Sequence, residues 1–227
     1  MKIKHATLEN CHEETDTVVV IDVLRAFTTA AFAFEAGASE IILAGSVEEA
    51  FKFKKQFPES LIMGEVDGYP VEGFDLSNSP SALVGRDLSG RQIIHRSTAG
   101  TQGVLGCKNS LNILAASLCC ASVTVIHIRL LSPRYLTLVE TGVFPGGWGD
   151  EDKACADFLE GMLIYKPPDR DAIIQRVRYS RSGLHYNDPS NTIFPPRDLA
   201  LAVDIDRFDF AMKVERKDGL LVMAPVK

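Results

Sequence analysis

Thr17-Val18-Val19-Val20-Ile21-Asp22-Val23-Leu24-Arg25 decides how the rest of the chain is read. Its first five residues are all β-branched and show no polar alternation, the pattern of a strand buried on both faces. Such a strand belongs to a sheet with helices above and below it. The strand ends at Asp22, and residues 25–36, rich in alanine and phenylalanine, read as the helix that follows. Residues 40–44 (EIILA) form a second short apolar run. Ser46 and Glu49 then have the spacing of a capping box, opening a helix over 47–57 that stops before Pro58. Residues 61–63 begin another strand. Strand, helix, strand, helix, strand predicts an α/β fold, a three-layer α/β/α arrangement on a mostly parallel, mixed sheet.

Further along, residues 92–95 read as a strand, 97–103 as a turn of small residues and 104–118 as largely helical. Residues 123–128 and 137–144 read as buried strands, with a glycine-rich loop at 145–149. Residues 150–163 are amphipathic with an acidic first turn, as the helix dipole favours. After Pro167-Pro168 the chain is more polar and helical until a hairpin, 210–217 and 220–224, around Asp218-Gly219. Residues 1–227 are expected to form a single α/β unit, with a division into two lobes near 130–150 left open.

The 227 residues correspond to about one and a half domains at roughly 150 residues each. The hydrophobic share of 46% and charged share of 24% are those of a globular chain and exclude disorder, collagen and a disulfide scaffold. A net charge of −6 argues against a nucleic-acid partner. Cys11, Cys107, Cys119, Cys120 and Cys155 are odd in number and lack zinc-site spacing; they read as reduced, small buried hydrophobes. The longest uncharged run, 109–128, is too polar to span a bilayer. With no signal-peptide pattern at the N-terminus, a cytoplasmic protein without membrane partners is expected, its homo-oligomeric state open. His95 and His127 fall in apolar runs and read as core histidines.

Four segments that follow strands carry the chemistry: Asp22 to Thr29; Gly64-Glu65 with Gly73-Phe74-Asp75; Ser97 to Gly103; and Asp150-Glu151-Asp152. Ligands of open α/β sheets bind outside the carboxyl ends of strands, so the four can converge. A loop as long as 64–80 within one domain points to function. Ser97, Thr98, Gly100 and Thr101 offer hydroxyls and backbone N–H groups suited to a phosphate. Arg25, with Thr28 and Thr29, adds a fork for an anionic oxygen. Asp22, Glu65, Asp75, Glu151 and Asp152 would repel that anion unless a hard cation lay between, and such oxygens suit Mg²⁺. Each segment also has a plainer reading: Asp22 as an N-cap, the acidic triplet as a dipole-matched helix start, Ser97–Gly103 as an ordinary turn. The P-loop, Asp-x-Asp and Cys-x₅-Arg phosphate chemistries are absent by spacing.

Asp22-Val-Leu-Arg25-Ala-Phe-Thr28-Thr29, Gly64-Glu65 with Gly73-Phe74-Asp75-Leu-Ser-Asn78-Ser79-Pro80, the Ser97-Thr98-Ala99-Gly100-Thr101 turn and the acidic run before Ala154-Cys155-Ala156 together resemble the 2-phosphosulfolactate phosphatase family. Phe27 stands where that family usually has a small hydroxyl residue, and Ala99 where asparagine is usual. The resemblance implies a Mg²⁺-dependent phosphomonoester hydrolase acting on a small anionic phosphorylated acid. On that reading Asp22, Arg25 and Asp152 are the catalytic candidates. Asp22, Glu65, Asp75, Glu151 and Asp152 are candidate metal ligands. Thr28, Thr29, Ser97, Thr98, Gly100 and Thr101 would hold the phosphate, and Asn78, Ser79 and Arg96 the acid end. A phosphometabolite-binding module without turnover, and a Mg²⁺-dependent lyase or phosphotransferase, are the alternatives.

Overall fold

In the computed structural model, which describes residues 1–142 and 149–227, an edge strand β1 (Lys2–Thr7) precedes β2 (Thr17–Ile21) and α1 (Ala26–Glu35). β3 (Glu40–Ala44), α2 (Val47–Gln56) and β4 (Leu61–Gly64) follow, in the order that the alternation predicts. Ser46 Oγ accepts from Glu49 N–H at 3.1 Å, capping α2, while Glu49 Oε2 reaches back to Gly45 N–H at 2.6 Å. β5 (Leu76–Ser77), β6 (Gln92–Arg96), α3 (Gly100–Gly106), β7 (Asn112–Ala116), α4 (Ala121–Leu131) and β8 (Tyr135–Glu140) come next. Four helices, α5 (Asp150–Leu163), α6 (Arg170–Arg178), α7 (Arg181–Leu184) and α8 (Pro196–Ala202), lead to the hairpin of β9 (Ala211–Lys217) and β10 (Leu220–Val226).

Four expectations are corrected. Residues 104–118 are not one helix: α3 is short, and Asn112–Ala116 pairs in register with β2. Its Leu and Ala content favours helix locally, but burial between two strands overrides that preference. Residues 123–128 are not a strand but the middle of α4. Ala121, Thr124, Val125 and Ile128 are buried while Ile126 and Leu130 are exposed, the 3.6-residue period that a short apolar run conceals. His127 is accordingly half-buried on a helix rather than in the core, whereas His95 is fully buried. The strand expected over 137–144 ends at Glu140; residues 143–148 lie outside the described residues, and most of the expected 145–149 loop with them. All five cysteines are buried and free.

The strands form one sheet in the order β1-β8-β2-β7-β9-β10-β3-β6-β4-β5. β1, β8, β2 and β7 are mutually parallel, as are β3, β6, β4 and β5. The C-terminal hairpin joins the two groups through antiparallel pairings on both sides. Hydrogen bonding therefore sends β2 and β6 in opposite senses. Five strand steps at roughly 20–25° of right-handed twist each rotate one group against the other by on the order of 100°, which lets their carboxyl ends approach. The cores follow this curl. Val18 and Val20 of β2 and Ile41 and Leu43 of β3 share one core with α1. Val19 and Ile21 face α4 and α5 in a second, and Ile42 and Ala44 face α2 in a third. β2 is thus covered on both faces, as its sequence requires.

Because β9 and β10 are the central strands, removing them exposes both flanking groups along their inner edges. A chain ended at residue 210 is expected to lose more than the about 5–15 kcal/mol that holds an ordinary domain together. Urea titration followed by circular dichroism should then show no cooperative transition. A sigmoidal transition near the full-length midpoint would contradict the central role of the hairpin.

Candidate active site

The chain following β2, β4, β6 and β8 opens onto one cleft of about 270 Å³. Asp22, Arg25, Glu65, Asp67, Thr98, Ala99 and Gly142 line it from the strand ends, Asn78 from the chain after β5, and Glu151 from α5. Ser182, Tyr186 and Phe194, all from the C-terminal third of the chain, form the opposite wall.

Asp22 is buried where β2 passes into α1, and its Oδ1 accepts from Ala26 N–H at 2.8 Å. The side chain therefore caps α1 and faces the cleft at once; the two readings of this residue do not exclude each other. Burial, with the charges of Glu65 and Glu151 behind it, pushes the Asp22 carboxyl up to about 7, although the N–H groups of Ala26 and Gly100 pull the other way. Gly100 makes this approach possible. A Cβ there would stand 2.7 Å from Asp22 Oδ2 and 2.9 Å from Ala26 Cβ.

Glu65 follows Gly64 at the end of β4. Its carboxylate accepts from Gly68 N–H at 2.6 Å, Thr98 N–H at 2.5 Å and Thr98 Oγ1 at 2.9 Å, so it ties the ends of β4 and β6 together. Gly64 permits this: at φ +149° a Cβ would meet Arg96 O at 2.0 Å. Glu151, on the first turn of α5, has one carboxylate oxygen, Oε2, buried without a hydrogen-bond partner among the described residues. Burial raises its carboxyl above the usual range, against the lowering influence of α5 backbone N–H and the Ser182 and Ser180 hydroxyls.

Arg25 is buried at the start of α1. Nη1 donates to Ile193 O at 2.7 Å and to Asp198 Oδ2 at 2.9 Å, and Nη2 donates to Gly68 O at 3.1 Å. The guanidinium lies 5.0 Å from the Phe194 ring centre and 5.8 Å from that of Tyr186. Among the described residues lining the cleft it is the one cation, facing four carboxylates: Asp22, Glu65, Asp67 and Glu151.

Other expected site residues have structural tasks instead. Asp75 does not line the cleft; its carboxylate accepts from Ile62 N–H at 2.8 Å and pairs with Lys54 of α2. Asp152 lies behind the cleft wall, where Oδ1 takes Val23 N–H and Oδ2 takes Gly142 N–H, both at 2.8 Å. It joins the ends of β2 and β8, and burial beside Glu151 and Asp22 holds its carboxyl well above the usual range. Ser97 and Thr101 are buried and bond to each other, closing the turn rather than opening a cradle. Thr28 bonds Val23 O and Ser117 Oγ, and Thr29 is buried and does not line the cleft, its hydroxyl unpartnered among the described residues. Arg96 donates to Glu65 O and Thr98 Oγ1, bracing the Glu65 turn. Ser79 bonds Asp198. Tyr186, Phe194 and Asp198 escaped the sequence reading. They sit in a segment without motif, and the only local signal, an acid just after Pro195-Pro196, is that of any helix start.

Among the described residues no group of three or more His, Cys, Asp or Glu side chains stands close enough to hold a metal ion. The five candidate ligands named from the sequence are therefore not gathered into one group. A smaller Mg²⁺ site does fit, since that ion is commonly held by one or two carboxylates plus substrate phosphate and water. Asp22 and Glu65 supply hard oxygens to one cleft, and Glu151, whose Oε2 has no partner among the described residues, lines the same cleft.

A family model described as 2-phosphosulpholactate phosphatase matches residues 3–193 of the chain. Proteins named "Probable 2-phosphosulfolactate phosphatase" are similar to it. That of Bacillus subtilis (strain 168) is 32% identical over 205 residues, covering 90% of this chain and 89% of the relative. That of Carboxydothermus hydrogenoformans is 40% identical over 154 residues, 66% and 61% of the two chains. That of Prochlorococcus marinus (strain MIT 9303) is 31% identical over 163 residues, 71% and 67% of the two.

The raised Asp22 carboxyl sets a pH dependence. The folded chain holds this proton more tightly than the unfolded chain does, so the stability it contributes is complete below about pH 4 and lost as pH rises toward 7. Asp22→Asn keeps the cap without the charge. In metal-free buffer the variant should match wild type near pH 4.5. At pH 8 it should exceed wild type by about 4 kcal/mol, or roughly 8–16 °C in Tm. A Tm difference independent of pH would contradict this.

Proposed function

Since the chain belongs to the 2-phosphosulfolactate phosphatase family, we propose that it hydrolyses the phosphate monoester of a small anionic acid, 2-phosphosulfolactate first among the candidates, with Mg²⁺ as cofactor. The observation that carries this reading is the charge balance of the cleft: among the described residues that line it, one arginine stands against four carboxylates. A phosphate monoester brings a further charge of about −1.5 to −2 at neutral pH. An additional cation is what reconciles such a substrate with such a wall.

Asp22 and Glu65 are the residues that would hold the metal, with Glu151 beside them. When bound, Mg²⁺ supplies positive charge to the phosphoryl oxygens and neutralises the leaving oxygen. Three of the five N–H donors of Arg25 are taken by Ile193, Asp198 and Gly68, so two remain for the phosphoryl group. They hold it in one orientation and stabilise charge that develops on it in the transition state. Glu151, which lines the cleft and whose Oε2 has no partner among the described residues, takes the proton of the attacking water. The Asn78 amide and Thr98 lie along the same wall, where the acid end of the substrate would rest. Tyr186 and Phe194 exclude bulk water from the guanidinium face.

The test is phosphate release from a panel of phosphorylated small acids, 2-phosphosulfolactate included, with and without Mg²⁺. Activity should vanish in EDTA and return with Mg²⁺; full activity in metal-free buffer, or none on any member, would overturn the reading. Arg25→Lys keeps the charge and loses the planar fork. It should lower kcat/KM on the order of 10²-fold, about 3 kcal/mol. Unchanged kinetics in the folded variant would remove Arg25 from the site.

A further inference from the structure

Asp198 is completely buried on the first turn of α8, beyond the 3–193 span that the family model matches. A buried carboxylate is costly unless its oxygens are satisfied. Here Oδ2 accepts from Arg25 Nη1 at 2.9 Å, while Oδ1 accepts from Ser79 Oγ at 2.8 Å and from Ser81 N–H at 3.0 Å. The last two bonds fix the carboxylate in the plane from which it grips the arginine. Ser79 and Ser81 flank Pro80 in the chain after β5, so three distant parts of the sequence meet at this ion pair.

The grip matters because Arg25 borders two cavities. Besides the main cleft, a neighbouring cavity of about 280 Å³ is lined by Arg25, Asn78, Ser79 and Thr192. Because Arg25 lines both, the space its remaining donors serve depends on how the guanidinium is held. With Nη1 saturated by Asp198 and Ile193 O, and Nη2 tied to Gly68 O, the plane is set.

Building on the phosphatase reading, we propose that Asp198 is the positioning residue of this site, fixing the guanidinium plane of Arg25 so that its two free N–H groups meet the phosphoryl oxygens. Asp198 touches no substrate. It acts through Arg25, and it makes the geometry of the cleft depend on the C-terminal part of the chain.

Asp198→Asn is close to isosteric. Its amide oxygen still accepts from Ser79 and Ser81, but its NH₂ then faces Arg25 Nη1 donor to donor. With 2-phosphosulfolactate and Mg²⁺, kcat/KM should fall about 10- to 100-fold. Two readouts separate positioning from mere packing. Guanidinium ion added at tens of millimolar should restore activity to Arg25→Ala but not to the Arg25→Ala/Asp198→Asn double variant. In arginine-labelled protein without substrate, slowly exchanging Nη–H resonances of Arg25 should be present in wild type and lost in Asp198→Asn. The second readout stands even if wild type releases no phosphate, an outcome that would count against the phosphatase reading alone. Should Asp198→Asn fail to fold, Ser79→Ala serves: it removes one donor from Asp198 and should lower kcat/KM about 3- to 10-fold while broadening the same resonances. Wild-type kinetics and unchanged Arg25 resonances in the folded variant, or equal guanidinium rescue in both backgrounds, would overturn the proposal.

Discussion

Charge imbalance within a small buried volume is the constraint on which the rest of the site depends. Asp22, Glu65 and Glu151 are each nearly inaccessible, yet among the described residues lining the cleft they and Asp67 face a single arginine. In a medium of low effective dielectric, neighbouring carboxylates disfavour one another's ionisation, and burial adds to that. The fold restrains these groups in two ways. Glu65 is held by three donors, and Asp22 by the amide of the helix it begins. Glu151 Oε2 is buried with no hydrogen-bond partner among the described residues. An arrangement of this kind is poor as scaffolding and well suited to a ligand set that gains its stability when a cation and an anion arrive together.

The sheet explains how residues so far apart in sequence reach one place. Its two parallel groups run in opposite senses and are joined by the C-terminal hairpin. Twist accumulated across the middle strands curls both groups around α1, whose alanine-rich and phenylalanine-rich surface fills the shared core. Carboxyl ends that a flat sheet would place on opposite edges are thereby gathered around the start of α1. The C-terminal segment then lays Tyr186, Phe194 and Asp198 against the same point.

Much of this was legible in the sequence. Uniform β-branching in Thr17–Ile21 required cover on both faces, and the alternation through Gly64 required crossover helices; both follow from local rules. Asp22, Arg25, Glu65, Asn78, Thr98 and Glu151 were singled out as site residues and line the cleft. The misses share a cause. Asn112–Ala116 and Ala121–Leu131 are short apolar segments whose form is set by what they pack against, not by their own composition. Ser97, Thr101, Asp152 and Asp75 carry chemistry-bearing side chains that the fold uses for itself, and only their partners reveal it. Asp198 had no sequence signal, because its role is defined by Arg25, 173 positions away.

The central claim is that an anion enters this cleft only with a cation. Titration calorimetry of inorganic phosphate into the full chain, metal-free and then saturated with Mg²⁺, tests it without requiring turnover. Linkage demands that whatever Mg²⁺ does for phosphate, phosphate does for Mg²⁺. The account predicts no measurable phosphate heat in EDTA, clear binding with Mg²⁺, and a reciprocal gain in Mg²⁺ affinity when phosphate is present. Equal phosphate affinity with and without the metal would contradict it.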